Sequence, residues 1–210
     1  MTRNGGVAYP GFMATLAIAH RDTELMLRVQ TGDESSFALL LDHYRAPLLR
    51  FLYRMTQDLA IAEELAQDVF LRVYRSRATY QPTAKFSTWL FCIATRLALN
   101  WRRDVRKERG HESLDGALPA RELSDRRPTI ERTLVYRTRV EEIRRAIDGL
   151  PAKQRAAVVL HKYHDMDYPQ IGRTLGSSES AVKSLLFRAY ESLRKRLIHL
   201  APAARLLKAG

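Results

Sequence analysis

Along this chain apolar residues recur at three- and four-residue steps, and the strict alternation of a half-buried strand is missing. The period predicts four helices before residue 109. The first covers 22–31 and stops at Gly32. The second follows GDESS, where Asp33 can cap, and runs through FALLLDHYRAPLLRFLYRMT, with Pro47 expected to kink or split it. The third, LAIAEELAQDVFLRVYRS, stands behind Asp58, and the fourth follows the loop ATYQPTAKF with Ser87 as its cap. From 110 to 133 the pattern lapses into Gly, Pro, Ser and mixed charge, the composition of a linker. It resumes as helices near 134–148, from Pro151 to about 164, over 168–175, and from 178 to about 200. The fold class expected is all-α, with two small helical domains. An N-terminal helical bundle (22–109) and a C-terminal helix-turn-helix domain (134–200) are joined by a flexible linker (110–133), with a flexible leader (1–21) and a tail (201–210).

The segment YPQIGRTLGSSESAVKSLLFRAYESLRKRL has the form of a helix-turn-helix. Ile171 and Leu175 lie four apart and face inward, Gly176 supplies the turn, and Ser177 or Ser178 caps the next helix. Val182, Leu186 and Ala189 then form one buried stripe. This leaves Ser178, Ser180, Lys183, Ser184, Phe187 and Arg188 outward, short hydroxyls and cations suited to base edges and phosphates in a major groove. Arg194, Lys195 and Arg196 extend the cationic run toward a DNA backbone. A plain helical hairpin with a solvated basic face is the alternative reading.

The fourth helix carries two stripes. Leu90, Ala94, Leu97 or Ala98, Trp101 and Val105 make a core face. Trp89, Arg96, Asn100, Arg103 and Lys107 make another, mixing a ring, an amide and cations as single-stranded bases require. Tyr80, Lys85 and Phe86 in the preceding loop add to it, although Trp89 taken alone reads equally well as a core residue. The third helix presents Glu63, Glu64, Gln67, Asp68, Leu71 and Tyr74. This acidic-to-mixed face repels phosphate and suits a protein partner.

Charge strengthens the nucleic-acid reading: Lys and Arg number 35 against 23 Asp and Glu, a net charge of +12. The one cysteine, Cys92, permits no internal disulfide and is compatible with a reducing cytoplasm. No apolar run is long enough for membrane insertion, and the patch at 12–19 is too short to span a bilayer. His161, His164 and Asp165 hint at a metal-dependent hydrolase, but no third ligand or Glu base stands at a recognisable spacing; a surface pair near a helix end is expected instead. A linker of about 24 residues reaches roughly 25–30 Å as a coil and about 80 Å extended, enough to let two DNA-binding faces grip separate elements.

These motifs, in this order, resemble the extracytoplasmic-function (ECF) group of the sigma-70 family of bacterial RNA polymerase sigma factors. AEELAQDVFLRVYR resembles the family's core-binding helix and FSTWLFCIATRLALNWRR its promoter-melting and −10 helix. LPAKQRAAVVLHKYHDMDYPQIGRTLGSSESAVKSLLFRAYESLRKRL resembles its −35-reading domain. The resemblance implies a cytoplasmic initiation factor with no catalytic residues, cofactor or metal. Its partners would be core RNA polymerase, promoter DNA (the −35 duplex and the −10 nontemplate strand) and an anti-sigma factor. By the same resemblance Glu64, Gln67, Asp68 and Leu71 dock on the polymerase. Lys85, Phe86, Trp89, Arg96, Asn100, Arg103 and Lys107 meet the −10 element, with the loop 79–86 capturing a flipped base. Ser178, Ser180, Lys183, Ser184 and Arg188 read the −35 element. The acidic linker residues Glu112, Asp115, Glu122, Asp125 and Glu131 would suit a cationic channel.

The chain departs from the family at Cys92, where Arg is frequent, at Arg96, where Asn is frequent, and at Leu185, where the recognition helix often has Arg. The promoter sequence is therefore not carried over. A stand-alone helix-turn-helix regulator would account for the C-terminal domain alone and leave the Trp89 stripe and the acidic third helix without a role.

Overall fold

The computed structural model describes residues 21–108 and 130–200, and every regular element among them is helical. The leader, most of the linker and the tail expected from the sequence lie outside the described residues, as do Glu112, Asp115, Glu122 and Asp125. Residues 21–30 form α1. The helices that follow are α2 (Glu34–Thr56), α3 (Leu59–Arg75), α4 (Phe86–Glu108), α5 (Ile130–Asp148), α6 (Ala152–Tyr163), α7 (Tyr168–Leu175) and α8 (Glu179–Leu197). A 3₁₀ turn at Arg77–Thr79 follows α3, and another at Ile198–Leu200 follows α8.

Local chemistry sets these boundaries. The Asp33 carboxylate accepts from the Ser36 amide at 3.1 Å and from its hydroxyl at 2.7 Å. These hydrogen bonds favour the ionised form and hold Asp33 below the usual carboxylate range. Gln57 closes α2 in a left-handed conformation (φ 63°), and Asp58 starts α3 by accepting from the Ile61 amide at 3.1 Å. Pro47 lies inside a continuous α2, which is not split. Helix α4 starts at Phe86, one residue before the expected cap Ser87. Helix α5 starts at Ile130, inside the stretch that reads as linker.

In the first domain Leu40, Leu48, Phe51, Leu52 and Met55 of α2 are buried against α3 and α4. Ala62 and Ala66 of α3, both buried, are small enough for a close approach to α2. In the second, Ile171, Leu175, Val182, Leu186 and Ala189 are buried as their spacing requires. Asp167 and Gln170 form a reciprocal capping box at the start of α7. Gly176 ends it at φ 59°, a conformation glycine adopts without strain, and Ser178 Oγ caps α8 by accepting from the Ala181 amide at 3.2 Å. Gly172 is needed for closeness: a Cβ there would stand 2.8 Å from the Ser177 carbonyl oxygen.

The two domains share one core. Helix α4 packs on α7 and α6, and α2 packs on α6. Sequence periodicity did not reveal this contact. Beyond the expected Leu90, Ala94, Leu97 and Ala98, α4 also buries Thr95 and Phe91, and Phe91 meets His164 just past the end of α6.

Candidate nucleic-acid interface

Helix α4 sorts its side chains by face. With its apolar strips inward, it leaves Arg96, Asn100, Arg103 and Lys107 exposed at four-, three- and four-residue steps, one stripe along the helix. Arg103 pairs with its neighbour Asp104 at 3.4 Å, an exposed contact worth little. Trp89, at the head of the stripe, is half-buried, its ring 4.9 Å from that of Tyr80 and 6.0 Å from that of Phe86. It is therefore part core and part surface, which joins the two readings that its sequence position left open.

Phe86 is placed differently from the expectation. It is 1% exposed and packs 5.2 Å from the Tyr44 ring, so it anchors the loop and offers no surface to a base. Tyr80 is likewise buried, and burial raises its phenol above the ordinary value. What the loop does expose is Gln81, Pro82, Thr83 and Lys85.

On α8, Ser180, Lys183, Ser184, Phe187 and Arg188 are exposed, with Phe187 at 69% the most open large apolar residue described. Ser178 is exposed as well, but its hydroxyl serves as the helix cap. Lys183 lies 3.0 Å from Glu179, an exposed i,i+4 pair that costs little to break. Ser184 Oγ donates to the Ser180 carbonyl at 3.1 Å, which sets its rotamer along the helix. Of the C-terminal cations, Arg196 is already engaged, donating to the carbonyls of Ala146 and Gly149, each at 3.2 Å. It satisfies the C-terminal end of α5, so the expectation that it holds a DNA backbone does not fit its position.

Helix α3 turns Glu63, Glu64, Gln67 and Leu71 to solvent, Leu71 at 44%, while Asp68 pairs with Arg72 at 3.0 Å. This face thus combines carboxylates with one exposed leucine, and its charge repels phosphate.

The histidines do not form a surface pair. His161 Nδ1 lies 3.0 Å from the Tyr190 hydroxyl. His164 is inserted between domains, its ring 4.0 Å from that of Phe91 and 5.5 Å from that of Phe51. Burial, with Arg54 and Arg50 nearby, pushes His164 down to about 4, so it is neutral at ordinary pH.

Fold and faces together define a two-domain helical protein with a helix-turn-helix and a second basic–aromatic helix. Sequence comparison agrees: residues 40–108 match the model for sigma-70 region 2, and residues 140–193 that for sigma-70 region 4. The chain is 30% identical over 177 residues to the ECF RNA polymerase sigma factor SigW of Bacillus subtilis (strain 168), covering 81% of this chain and 93% of that one. It is 33% identical over 174 residues to the RNA polymerase sigma factor CarQ of Myxococcus xanthus, covering 82% and 95%. Among solved structures, CnrH in complex with the cytosolic domain of CnrY superposes with a TM-score of 0.63 at 20% identity, covering 86% of this chain and 99% of that one. The sigma factor RpoE in complex with the anti-sigma factor NepR from Bartonella quintana gives 0.60 at 19%, covering 77% and 96%; both show the shared fold. The chain belongs to the ECF group of the sigma-70 family and is an RNA polymerase sigma factor, a transcription initiation factor and not a stand-alone regulator. No helix among the described residues is long and apolar enough to cross a membrane.

Proposed function

We propose that this chain joins core RNA polymerase through the exposed face of α3, reads and opens the −10 element with α4, and reads the −35 element with the first turns of α8. The polymerase contacts are Glu64, Gln67, Asp68 and Leu71. The −10 contacts are Arg96, Asn100, Arg103 and Lys107, with Trp89 and Lys85 at the loop end. The −35 contacts are Ser180, Lys183, Ser184 and Arg188. Phe86 and the capping hydroxyl of Ser178 support these faces from behind. The observation that carries this reading is the sorting on α4: every expected core residue is at least half-buried, and the four polar members of the other stripe are exposed.

In this assignment the protein performs no chemistry. It supplies positioning and charge, and the polymerase supplies catalysis. Phosphate contacts from the cations give affinity and register, whereas Asn100, Trp89 and the α8 hydroxyls discriminate bases. Its working place is the cytoplasm, where polymerase and promoter are. An anti-sigma factor is a further expected partner, supported by the solved relative RpoE, which was captured with one.

The direct experiment is run-off transcription with purified core polymerase and a fragmented genomic library. Discrete transcripts should appear only when the full chain is added, and their start sites would give both promoter elements. In the same assay Lys183→Ala with Arg188→Ala should lower promoter affinity about 10- to 100-fold. The log–log salt slope should become shallower by roughly two, one per lost phosphate contact, with polymerase binding retained. Loss of polymerase binding in that variant would refute the assignment of α8.

A further inference from the structure

Helix α1 carries none of the contacts proposed above, yet it is tied to the −10 face at two points. Asp22, Met26 and Gln30 follow at four-residue steps, one stripe of the helix, with Met26 wholly buried between two polar ends. At one end the Gln30 side-chain amide donates to the Ala78 carbonyl at 3.0 Å and to the Tyr80 carbonyl at 3.4 Å. At the other the Asp22 carboxylate, 4% exposed, accepts from the Tyr44 hydroxyl at 2.5 Å. Both ties lead to the same place. Gln30 fixes the backbone of Tyr80, whose ring lies 4.9 Å from that of Trp89. Asp22 fixes Tyr44, whose ring lies 5.2 Å from that of Phe86, and Phe86 in turn lies 6.0 Å from Trp89. The two rings that flank Trp89, one at each end of the loop 80–86, are therefore anchored on a single helix. Between them the loop exposes Gln81, Thr83 and Lys85, an amide, a hydroxyl and a cation.

The two ties differ in kind. Asp22 and Tyr44 are both in the core, where a carboxylate left without its donor is costly, so that tie helps to keep the domain folded. Burial, with the Asp22 carboxylate beside it, holds the Tyr44 phenol well above its ordinary value, and the hydroxyl stays a donor. Gln30 is half-buried at the end of α1, and Ala78, whose carbonyl it serves, is exposed. Without the amide that carbonyl turns to water, so the fold has little need of Gln30.

What the Gln30 amide does is choose one position for a loop that has no ladder or helix to fix it. Groups that discriminate ligands by stacking and hydrogen bonding lose selectivity when their support lets them shift by about 1 Å. We propose that α1 braces the −10 face, and that Gln30 is a positioning residue which, through Tyr80, sets Trp89 and the loop 81–85 in register to discriminate the bases of the −10 strand. The consequence for bases rests on the −10 reading given above; the brace itself does not.

The test uses the full chain bound to core polymerase. Its probe is a labelled single-stranded oligonucleotide with the −10 sequence found by run-off transcription, set against the same strand with one base changed at a time. Gln30→Met keeps length and charge but removes the donor. Its discrimination between cognate and changed strands should fall about three- to tenfold, the range for one hydrogen bond. Binding of the −35 duplex, binding of polymerase and the melting temperature should stay as in the wild type. Gln30→Lys donates again and should restore the ratio, in which its added charge cancels because it acts alike on every sequence. In the free chain, amide hydrogen exchange over 79–85 should quicken in Gln30→Met and return in Gln30→Lys. Quicker exchange with unchanged discrimination would overturn the positioning role, and unchanged exchange would overturn the brace. A loss shared equally by the −35 duplex and the melting temperature would make Gln30 a residue of the fold alone. A wild-type holoenzyme with no preference among the strands would sink the −10 reading and the consequence for bases with it. Exchange, read without DNA or polymerase, would still decide the brace.

Discussion

Two strips of the same helix obey different rules. On α4 the strip Arg96, Asn100, Arg103 and Lys107 lies in solvent, while Phe91, Thr95 and Ala98 are buried and Phe91 meets His164 of the second domain. The solvent strip is polar throughout, three cations and an amide, with one weak surface pair between Arg103 and Asp104. The seam strip is one wall of a contact whose other members are a buried Arg, a neutralised His and an Asp with a raised pKa. The contrast separates the strip proposed to meet DNA from the strip that packs against the second domain. A DNA face gains from keeping its cations hydrated until phosphate replaces water.

The comparison is broken most severely by emptying the solvent strip. Arg96→Ala, Asn100→Ala and Arg103→Ala together should reduce promoter-specific initiation about 100-fold or more, each contact contributing roughly 1–2 kcal/mol. Thermal stability should change little, because exposed positions outside caps and networks rarely matter. A fall in melting temperature of more than a few degrees would mean that these residues pack and do not read DNA. Smaller, and on the opposite face of the domain's work, Asp68→Ala with Leu71→Asp should weaken core polymerase binding about 10- to 30-fold, the range for losing an apolar anchor and a charge at an interface. Affinity of the isolated protein for promoter fragments should not change. Equal loss of both would show that α3 has no separate docking role.

The same comparison shows what can be read from a sequence. The helices, the turn at Gly176 and the exposed members of both DNA stripes follow from a 3.6-residue period and a few caps, since solvent and core are the only environments that period distinguishes. Phe86 and Tyr80 fall outside that rule. A loop residue has no period, so an aromatic that anchors the loop and one that stacks on a base look alike until packing is known. The seam was hidden for another reason. Arg155 sits on α6, whose pattern marks an ordinary amphipathic face, and His164 just past its end, and the groups that make them unusual (Met55, Phe51 and Phe91) are at least 73 residues away from them in the chain. A histidine read as half of a surface pair proves to be the plug between two domains.

Titration sharpens the contrast most finely. His164, held at about 4 by burial with Arg54 and Arg50 beside it, contributes stability that is complete above its unfolded value near 6.5 and is lost as pH falls toward 4. Asp148 behaves in the opposite sense. Burial raises it to about 6 against the pull of Arg155, Arg144 and Arg102, with Glu141 adding to the rise, so its contribution is present at low pH and is lost as pH rises through 6. The His164 shift corresponds to roughly 3 kcal/mol over its full range, and that of Asp148, screened by its partial exposure, to about 2 kcal/mol. Because the windows overlap, the two should nearly cancel between pH 6 and 4, and the wild-type seam should look insensitive to acid. Single replacements expose what is hidden: between pH 6.5 and 5, His164→Leu should become more stable as pH falls and Asp148→Asn less stable, by about 1–2 kcal/mol in each case. Urea unfolding at several pH values measures this directly. Parallel slopes for the two variants would place the titrating groups elsewhere. The DNA strip offers the matched control, since Arg96→Ala should leave the wild-type pH profile unchanged.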